Sequence, residues 1–481
     1  MLEFFTRKLK KSWHYLYEKL YIVKLPFLVF FLTNYLLRSF KNRQSIPKYA
    51  NLINYRKLSC SEVNLNNDDP EFGNRIARRY YHRIPVIRIR VKLRKQPIGV
   101  YNACELLINL LSISGRCPKR KAFRSIIIKL LFYIITHIEF RLNRTNNHII
   151  NNSRAIIIAS IYLENRITFR LGLSVFEKFF LKLTTCEGTL DEGSTSYELV
   201  LALWLMDIQN ICGSRLSKDC SKRVCMYINN INACYSNFNH SEVPRIGDCS
   251  PDSTFSLSYK ILEPLNNGNQ YYGNRNTGLN IFGTKNLFLC YWLQKIKLEP
   301  QNHQHNDSAQ ILIYKNNKAI TSDPGRYSYK KNCKISNQQI SFTNHSGCYL
   351  YFNKINYPLK FESRVFSKLS DTLVFKWHYG RLKRYISYDK NQLKVFDDFE
   401  FDEFLGEIIY NFVSKHNITV LPGHELDIGN EVSIKFNKMP VFVKSPCYIS
   451  DEYGDLKVGN ICKVRFSVFS LSDSKVRITI K

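Results

Sequence analysis

Near residue 240 the spacing of apolar side chains changes character, and that change limits the folds open to the chain. From about Tyr101 to Asn232 apolar residues recur three and four positions apart, the period of an amphipathic helix. From about Ile246 onward they gather in short β-rich runs divided by turn signals. One layer of structure cannot satisfy both patterns, so the sequence predicts an α+β protein of two domains, helical first and β second. The clearest helical stretches are Ala122–Leu142, Ile150–Leu163, Leu173–Leu183 and Thr195–Ile208. Short polar breaks between them predict antiparallel hairpins. The β-rich runs include Ile311–Tyr314 and Ala319–Thr321 around Asn316-Asn317, then Thr372–Trp377, Leu382–Tyr388, Glu431–Phe436, Val464–Phe469 and Val476–Ile480. Runs of that length predict an antiparallel sandwich or stacked sheets. The boundary is expected between Asn232 and Ser250. That gives a basic N-terminal region over 1–100, a helical domain over 101–240 and a β domain over 246–481.

At 481 residues, 44 % hydrophobic and 14 % aromatic, the chain has the makings of a globular protein with substantial cores. Its net charge of +31 invites an acidic partner, although a bias toward Ile, Asn, Lys and Tyr also follows from AT-rich coding. The densest positive patch is Pro85–Arg94, where Arg88, Arg90, Lys92 and Arg94 alternate with Ile87, Ile89, Val91 and Leu93 as on a strand with one basic face. No helix-turn-helix, zinc-finger or RNA-binding signature accompanies the charge, so no specific nucleic-acid partner is expected.

Near the N-terminus the apolar run Pro26–Leu37 is too short to span a bilayer, and no small-residue cleavage site follows it. A packed helix is expected there, with a basic amphipathic contact to a membrane surface as the alternative. The fourteen cysteines include no Cys-x-x-Cys pair. They read as small buried thiols in a reducing compartment. With no export signal recognised, a cytoplasmic or membrane-peripheral location is expected, and the periplasm is the alternative.

Chemistry-bearing residues concentrate in two places. The stretch from His303 to Tyr329 carries His303, His305 and Asp307 ahead of a strand pair, then Asp323 in a Pro-Gly turn. Zinc favours His and carboxylate ligands, and His305, Asp323 and His345 supply one each from positions a sheet can bring together. His303 is then left beside the metal for acid/base work. Upstream, Asn147-His148 opens a predicted helix, where an asparagine is an ordinary cap. Glu192-Gly193-Ser194-Thr195-Ser196-Tyr197 reads as another helix start with Ser194 as cap. A tyrosine ionises only near pH 10, so Tyr197 becomes a proton donor or acceptor only with suitable neighbours.

These residues in this order resemble the heparinase II/III family of polysaccharide lyases, including the related oligoalginate lyases, over most of the chain beyond about Tyr101. In that family an Asn-His pair opens a helix of an incomplete α/α toroid, and Asn147-His148 matches it. An EGSxxY stretch carrying the catalytic tyrosine follows, matched by Glu192–Tyr197. A β domain then supplies H-x-H-x-D and Asp-Pro-Gly-x-Tyr. His303, His305 and Asp307 match the first; Asp323-Pro324-Gly325-Arg326-Tyr327 matches the second. His345 matches a later histidine, although Ser346-Gly347 follows it where Asn-Thr is common.

The resemblance implies β-elimination on a uronic-acid-containing anionic polysaccharide or oligosaccharide. Asn147 would neutralise the uronate carboxylate with help from His148. Tyr197 would be the general acid and possibly also the base, with His303 or His148 as the alternative base. Structural zinc would sit on His305, Asp323 and His345, and Glu192, Tyr327 and Tyr329 would line the substrate. These roles require the helix-borne groups and the sheet-borne imidazoles to serve one groove. Gln338-Gln339-Ile340-Ser341 departs from the family, standing where relatives carry a Tyr or Arg-Ser segment. The alternative expectation is therefore an inactive polysaccharide-binding or assembly protein of an exopolysaccharide pathway.

Overall fold

The structure is a computed structural model that describes residues 100–481 with interruptions, among them 189–192, 236–243, 248–269, 294–308, 327–333 and 342–344. The basic stretch Pro85–Arg94 and the apolar run Pro26–Leu37 lie outside the described residues, as do Glu192, His303, His305, Asp307, Tyr327 and Tyr329.

Helices come first, then antiparallel sheets, so the chain is α+β. Among the described residues, the helices preceding the first strand are α1 (Val100–Ser114), α2 (Arg120–Thr136), α3 (His148–Tyr162), α4 (Arg166–Leu183), α5 (Thr195–Cys212) and α6 (Lys218–Tyr235). Among the described residues, no helix is long and apolar enough to cross a membrane. Two compact units divide the chain. One takes the chain up to Gly188 with Leu201–Ile228; the other takes Thr189–Val200 with Asn229–Lys481.

Helix ends follow local hydrogen bonding more closely than apolar period. The expected helix to Leu142 stops at Thr136, whose hydroxyl donates to the carbonyls of Phe132 (2.9 Å) and Tyr133 (3.0 Å). That β-branched, back-bonding residue occupies carbonyls the next turn would need. The helix expected from Leu173 instead begins at Arg166. Asn165 caps it, its side-chain oxygen accepting the N–H groups of Ile167 and Thr168 at 3.0 and 3.1 Å.

The same asparagine closes the preceding helix. Glu164 takes φ +56°, its N–H donates to Ile161 O at 3.0 Å, and the Asn165 N–H donates to Ser160 O at 2.8 Å. This is the Schellman pattern of a helix C-terminus. Close packing accompanies the corner: Gly172 on α4 lies so near Ile156 and Ile157 of α3 that a Cβ there would stand 2.9 Å from both side chains.

Among the described residues, three sheets follow, and every strand ladder is antiparallel. A five-stranded sheet runs β1 (Gln270–Tyr272), β2 (Leu279–Thr284), β3 (Leu287–Trp292), β4 (Leu312–Lys315) and β5 (Lys318–Ala319). An eight-stranded sheet has the order β13-β14-β15-β18-β11-β10-β9-β8, comprising β8 (Lys360–Phe366), β9 (Ser370–Trp377), β10 (Gly380–Asp389), β11 (Gln392–Phe401), β13 (Ile418–Leu421), β14 (Glu425–Ile428), β15 (Val432–Phe436) and β18 (Lys475–Ile480). The second five-stranded sheet has the order β16-β17-β12-β6-β7, from β6 (Gly347–Phe352), β7 (Ile355–Pro358), β12 (Gly406–Ser414), β16 (Val441–Ile449) and β17 (Lys457–Val468). A short helix, α7 (Lys334–Gln339), precedes β6.

One apolar core draws on all three sheets, with Leu289 and Ile313 from the first, Phe375, Leu393 and Ile434 from the second, and Leu350, Ile408 and Val464 from the third. Strands β9 to β11 alternate buried and open positions as two-sided strands must. Three inward positions break the apolar pattern: Asp371 on β9, Arg384 on β10 and Asp397 on β11. Arg384 on β10 grips Asp397 on β11 with two bonds of 2.8 and 2.7 Å. The Tyr410 hydroxyl on β12 donates to the same carboxylate at 2.6 Å, and Arg384 also donates to Ala309 O at 3.0 Å. Burial works against the guanidinium charge. Asp397, with Tyr410 and Cys348 adding to it, more than offsets that penalty and raises the Arg384 pKa above the ordinary arginine value.

Candidate functional site

Asn147 stands at the head of α3 in helical geometry, with φ −56° and ψ −23°, and its side chain makes no capping bond. The ordinary capping role considered for it is therefore not the one it plays. The residue is 0 % exposed, and among the described residues neither Oδ1 nor Nδ2 has a hydrogen-bond partner. An amide buried this way costs on the order of 1–3 kcal/mol. Its main-chain carbonyl is engaged, accepting from Ile150 at 3.0 Å and Asn151 at 3.3 Å, so the helix start itself is well formed.

His148, half-buried beside it, places Nδ1 3.2 Å from Glu139 Oε2 and packs its ring 5.3 Å from that of Tyr101. One turn on, buried Asn152 accepts the Glu139 N–H at 2.7 Å and donates to Cys104 Sγ at 3.4 Å. Below lies a charge the sequence reading passed over. Arg154 is fully buried in the middle of α3 and pairs with Asp207 of α5 at 2.6 Å and Glu105 of α1 at 3.1 Å. It also donates to Asn151 Oδ1 at 3.1 Å, and its guanidinium lies 5.9 Å from the Trp204 ring centroid. An arginine flanked by Ile149, Ile150 and Ile156–Ile158 was the visible signal, since a buried cation must be paired.

In the second unit, Tyr197 sits in the first turn of α5. Ser194 caps that turn as its position suggests, Oγ accepting the Tyr197 N–H at 3.5 Å. The turn is anchored to the segment before the sheets. Thr195 N–H donates to Ile246 O at 3.2 Å, and the Ile246 N–H donates back to Thr195 Oγ1 at 3.1 Å. The next residue, Gly247, donates its N–H to Asp323 Oδ2 at 3.3 Å. One relay of four hydrogen-bonded residues thus connects the Tyr197 turn with the Asp-Pro-Gly turn. Glu198, also buried, accepts from the Tyr235 hydroxyl at 2.7 Å and fixes α5 to the end of α6.

Asp323 and His345 come together, with Nδ1 3.3 Å from Oδ2 and both side chains buried. Three donors orient the carboxylate: Gln310 Nε2 at 2.8 Å and the Gly247 N–H on Oδ2, and the Gly325 N–H at 2.7 Å on Oδ1. Gly325 takes φ +64°, and a Cβ there would stand 2.0 Å from Ser450 O, so this turn accepts only glycine. Gln339, in the segment that departs from the family pattern, braces the same turn. Its Nε2 donates to Pro324 O and Ser450 Oγ, both at 3.2 Å. His345 is held by its neighbour, because Ser346 Oγ accepts from Val413 N–H at 2.9 Å and donates to Ser322 O at 3.1 Å. Among the described residues no three His, Cys, Asp or Glu side chains are grouped to hold a metal ion; Asp323 and His345 supply two such donors.

Solved polysaccharide lyases share this fold. A heparinase III structure matches with a TM-score of 0.62 at 11 % identity, covering 85 % of this chain and 75 % of that one. Another heparinase III matches at 0.57 and 12 %, covering 92 % and 84 %. A heparan sulfate lyase from Pedobacter heparinus matches at 0.54 and 13 %, covering 85 % and 74 %. No protein-family model and no curated protein sequence matches the chain. At these identities the likeness establishes a polysaccharide-lyase fold.

Proposed function

We propose that this chain is a lyase that cleaves a uronic-acid-containing anionic polysaccharide or oligosaccharide by β-elimination. The buried, unbonded amide of Asn147 carries the reading: in a polysaccharide-lyase fold, an amide kept at that cost is best explained by a ligand that completes it. A uronate carboxylate is such a ligand. Accepting hydrogen bonds lets it take up charge as the C5–H bond breaks. The C5 electron pair then forms the C4=C5 double bond, and the C4–O bond breaks. Tyr197 protonates the departing O4, while His148, His303 or Tyr197 itself receives the C5 proton. The helical part of the chain would belong to an incomplete α/α toroid, with Glu192, Tyr327 and Tyr329 contributing to substrate binding. A net charge of +31 favours capture of a polyanion.

Zinc belongs to the same proposal. Neighbouring ligands on a tetrahedral zinc lie about 3.3 Å apart for bonds of about 2.0–2.1 Å, which suits the His345–Asp323 spacing of 3.3 Å. His305 would be the third ligand. When bound, the ion would cross-link these residues rather than enter the elimination.

The test is incubation with alginate, heparan-type and bacterial uronate polymers, following the ultraviolet absorbance of unsaturated uronates. Turnover that Tyr197→Phe abolishes supports the proposal. Polymer binding without turnover, unaffected by Tyr197→Phe, would instead identify a binding or assembly protein.

A further inference from the structure

We infer that Glu139 is a positioning residue for His148, accepting the Nδ1–H hydrogen bond and so leaving Nε2 as the basic nitrogen of the ring. The catalytic meaning of this pairing rests on the lyase reading; the pairing itself rests on geometry.

The early end of α2 is what makes it available. Because the helix stops at Thr136, Ile138 can turn into the core and Glu139 can face α3 rather than continue the helix. Asn152 then catches the Glu139 N–H at 2.7 Å, from a position four residues beyond His148 on the same helix. One helix therefore holds both the imidazole and the backbone of its acceptor, which fixes their separation. Glu139 Oε2 lies 3.2 Å from Nδ1. An ionised carboxylate can only accept, so Nδ1 must carry the proton. Tyr101 of α1 packs against the ring at 5.3 Å with an interplanar angle of 48°, and Trp204 of α5 stands 5.9 Å behind Tyr101. Glu139 and Tyr101 are two titratable groups in contact with this imidazole.

The mechanism then has a defined path. The C5 proton passes to Nε2, and the imidazolium that forms keeps its Nδ1–H bond to Glu139, which takes up no proton. Carboxylate and cation stay paired while the uronate carboxylate gathers charge elsewhere.

The experiment is ¹⁵N magnetic resonance of histidine-labelled protein at neutral pH, with the His148 signals assigned by their loss in His148→Asn. Wild type should show the Nδ1–H tautomer. Glu139→Ala should move His148 toward the Nε2–H form preferred by free imidazole and lower kcat about ten- to hundredfold, with KM changed less than about twofold. Glu139→Gln, whose Oε1 can still accept from Nδ1, should keep the tautomer and recover part of kcat. The Glu139 side chain is one-third exposed and its N–H bond to Asn152 survives substitution, so each variant should fold. An Nε2–H tautomer in wild type, or no change in Glu139→Ala, overturns the pairing whether or not the chain is a lyase. A switched tautomer with unchanged kcat overturns the positioning role and leaves the lyase reading intact. Absence of turnover in wild type removes both the lyase reading and the positioning role.

Discussion

Gln339 Nε2 donates to Pro324 O across 3.2 Å, bringing the end of α7 onto the turn that presents Asp323. Gln339→Leu removes that bond together with those to Ser450 Oγ and Tyr448 O, and leaves the Pro324 carbonyl with the Ser450 N–H as a donor. The expected loss is about 1–3 kcal/mol in urea denaturation.

Gly325→Ala should be worse. Its Cβ would meet Ser450 O at 2.0 Å from a backbone at φ +64°, and the turn cannot move without losing the Ser450 N–H bond to Pro324 O at 2.8 Å. A destabilisation of at least about 3 kcal/mol is expected, read as a lowered melting temperature or insoluble expression.

Asn147→Leu separates function from stability. A side chain of similar size with no polar atoms removes the cost of the unbonded amide, so the folded state should gain about 1 kcal/mol. Lyase turnover should vanish in the same variant. Calorimetry and the ultraviolet assay check the two halves, and a variant losing both activity and stability would mean the amide is structural.

The Arg384–Asp397 pair predicts a non-additive result. Arg384→Met strands a buried carboxylate and should cost about 3–5 kcal/mol. Adding Asp397→Leu should restore part of that loss, because no uncompensated charge remains. Equilibrium denaturation of the two single variants and the double variant completes the cycle.

Thiol chemistry follows burial. Desolvation pushes Cys212 and Cys220 up to about 12 from the ordinary 9.0, whereas Cys186 is exposed. At pH 8 iodoacetamide should modify Cys186 well before either of the other two, as peptide mapping would show. Because folding raises these two values, their contribution to stability is complete below about pH 9 and declines as pH rises toward about 12. Melting temperatures across that window should fall, and less so in Cys212→Ala/Cys220→Ala.

The sequence displayed most elements but not their limits or neighbours. The alternation through Leu382–Tyr388 survives in the structure because it depends on which face is buried, whereas α3 is buried on every side from Ile149 to Ser160. The end of α2 and the start of α4 do not follow period. They depend on single side chains, Thr136 and Asn165, bonding to nearby backbone. Sheet order is further out of reach, since β18 pairs with β11 and β15 only after most of the β region has been laid down. At the site, Asp323 and His345 lie 3.3 Å apart, and Gln310, Gly247 and Gln339 around them come from separate segments that no local pattern connects. The Arg384–Asp397 pair was in principle visible, as charges whose neighbours two positions away, Leu382, Ile386, Val395 and Phe399, are all apolar; Arg154 was visible as a charge between Ile149-Ile150 and Ile156–Ile158.

The corner at Asn165 leaves no slack between α3 and α4. One residue terminates the first helix and initiates the second, so adding or deleting a single amino acid there would turn α4 by about 100° and lift its apolar stripe off the interior. Reporter tags, affinity handles or circularly permuted ends inserted at that joint should fail. The hairpin tip at Asn353-Lys354, already in left-handed backbone with both residues open to solvent, is where such additions should be tolerated.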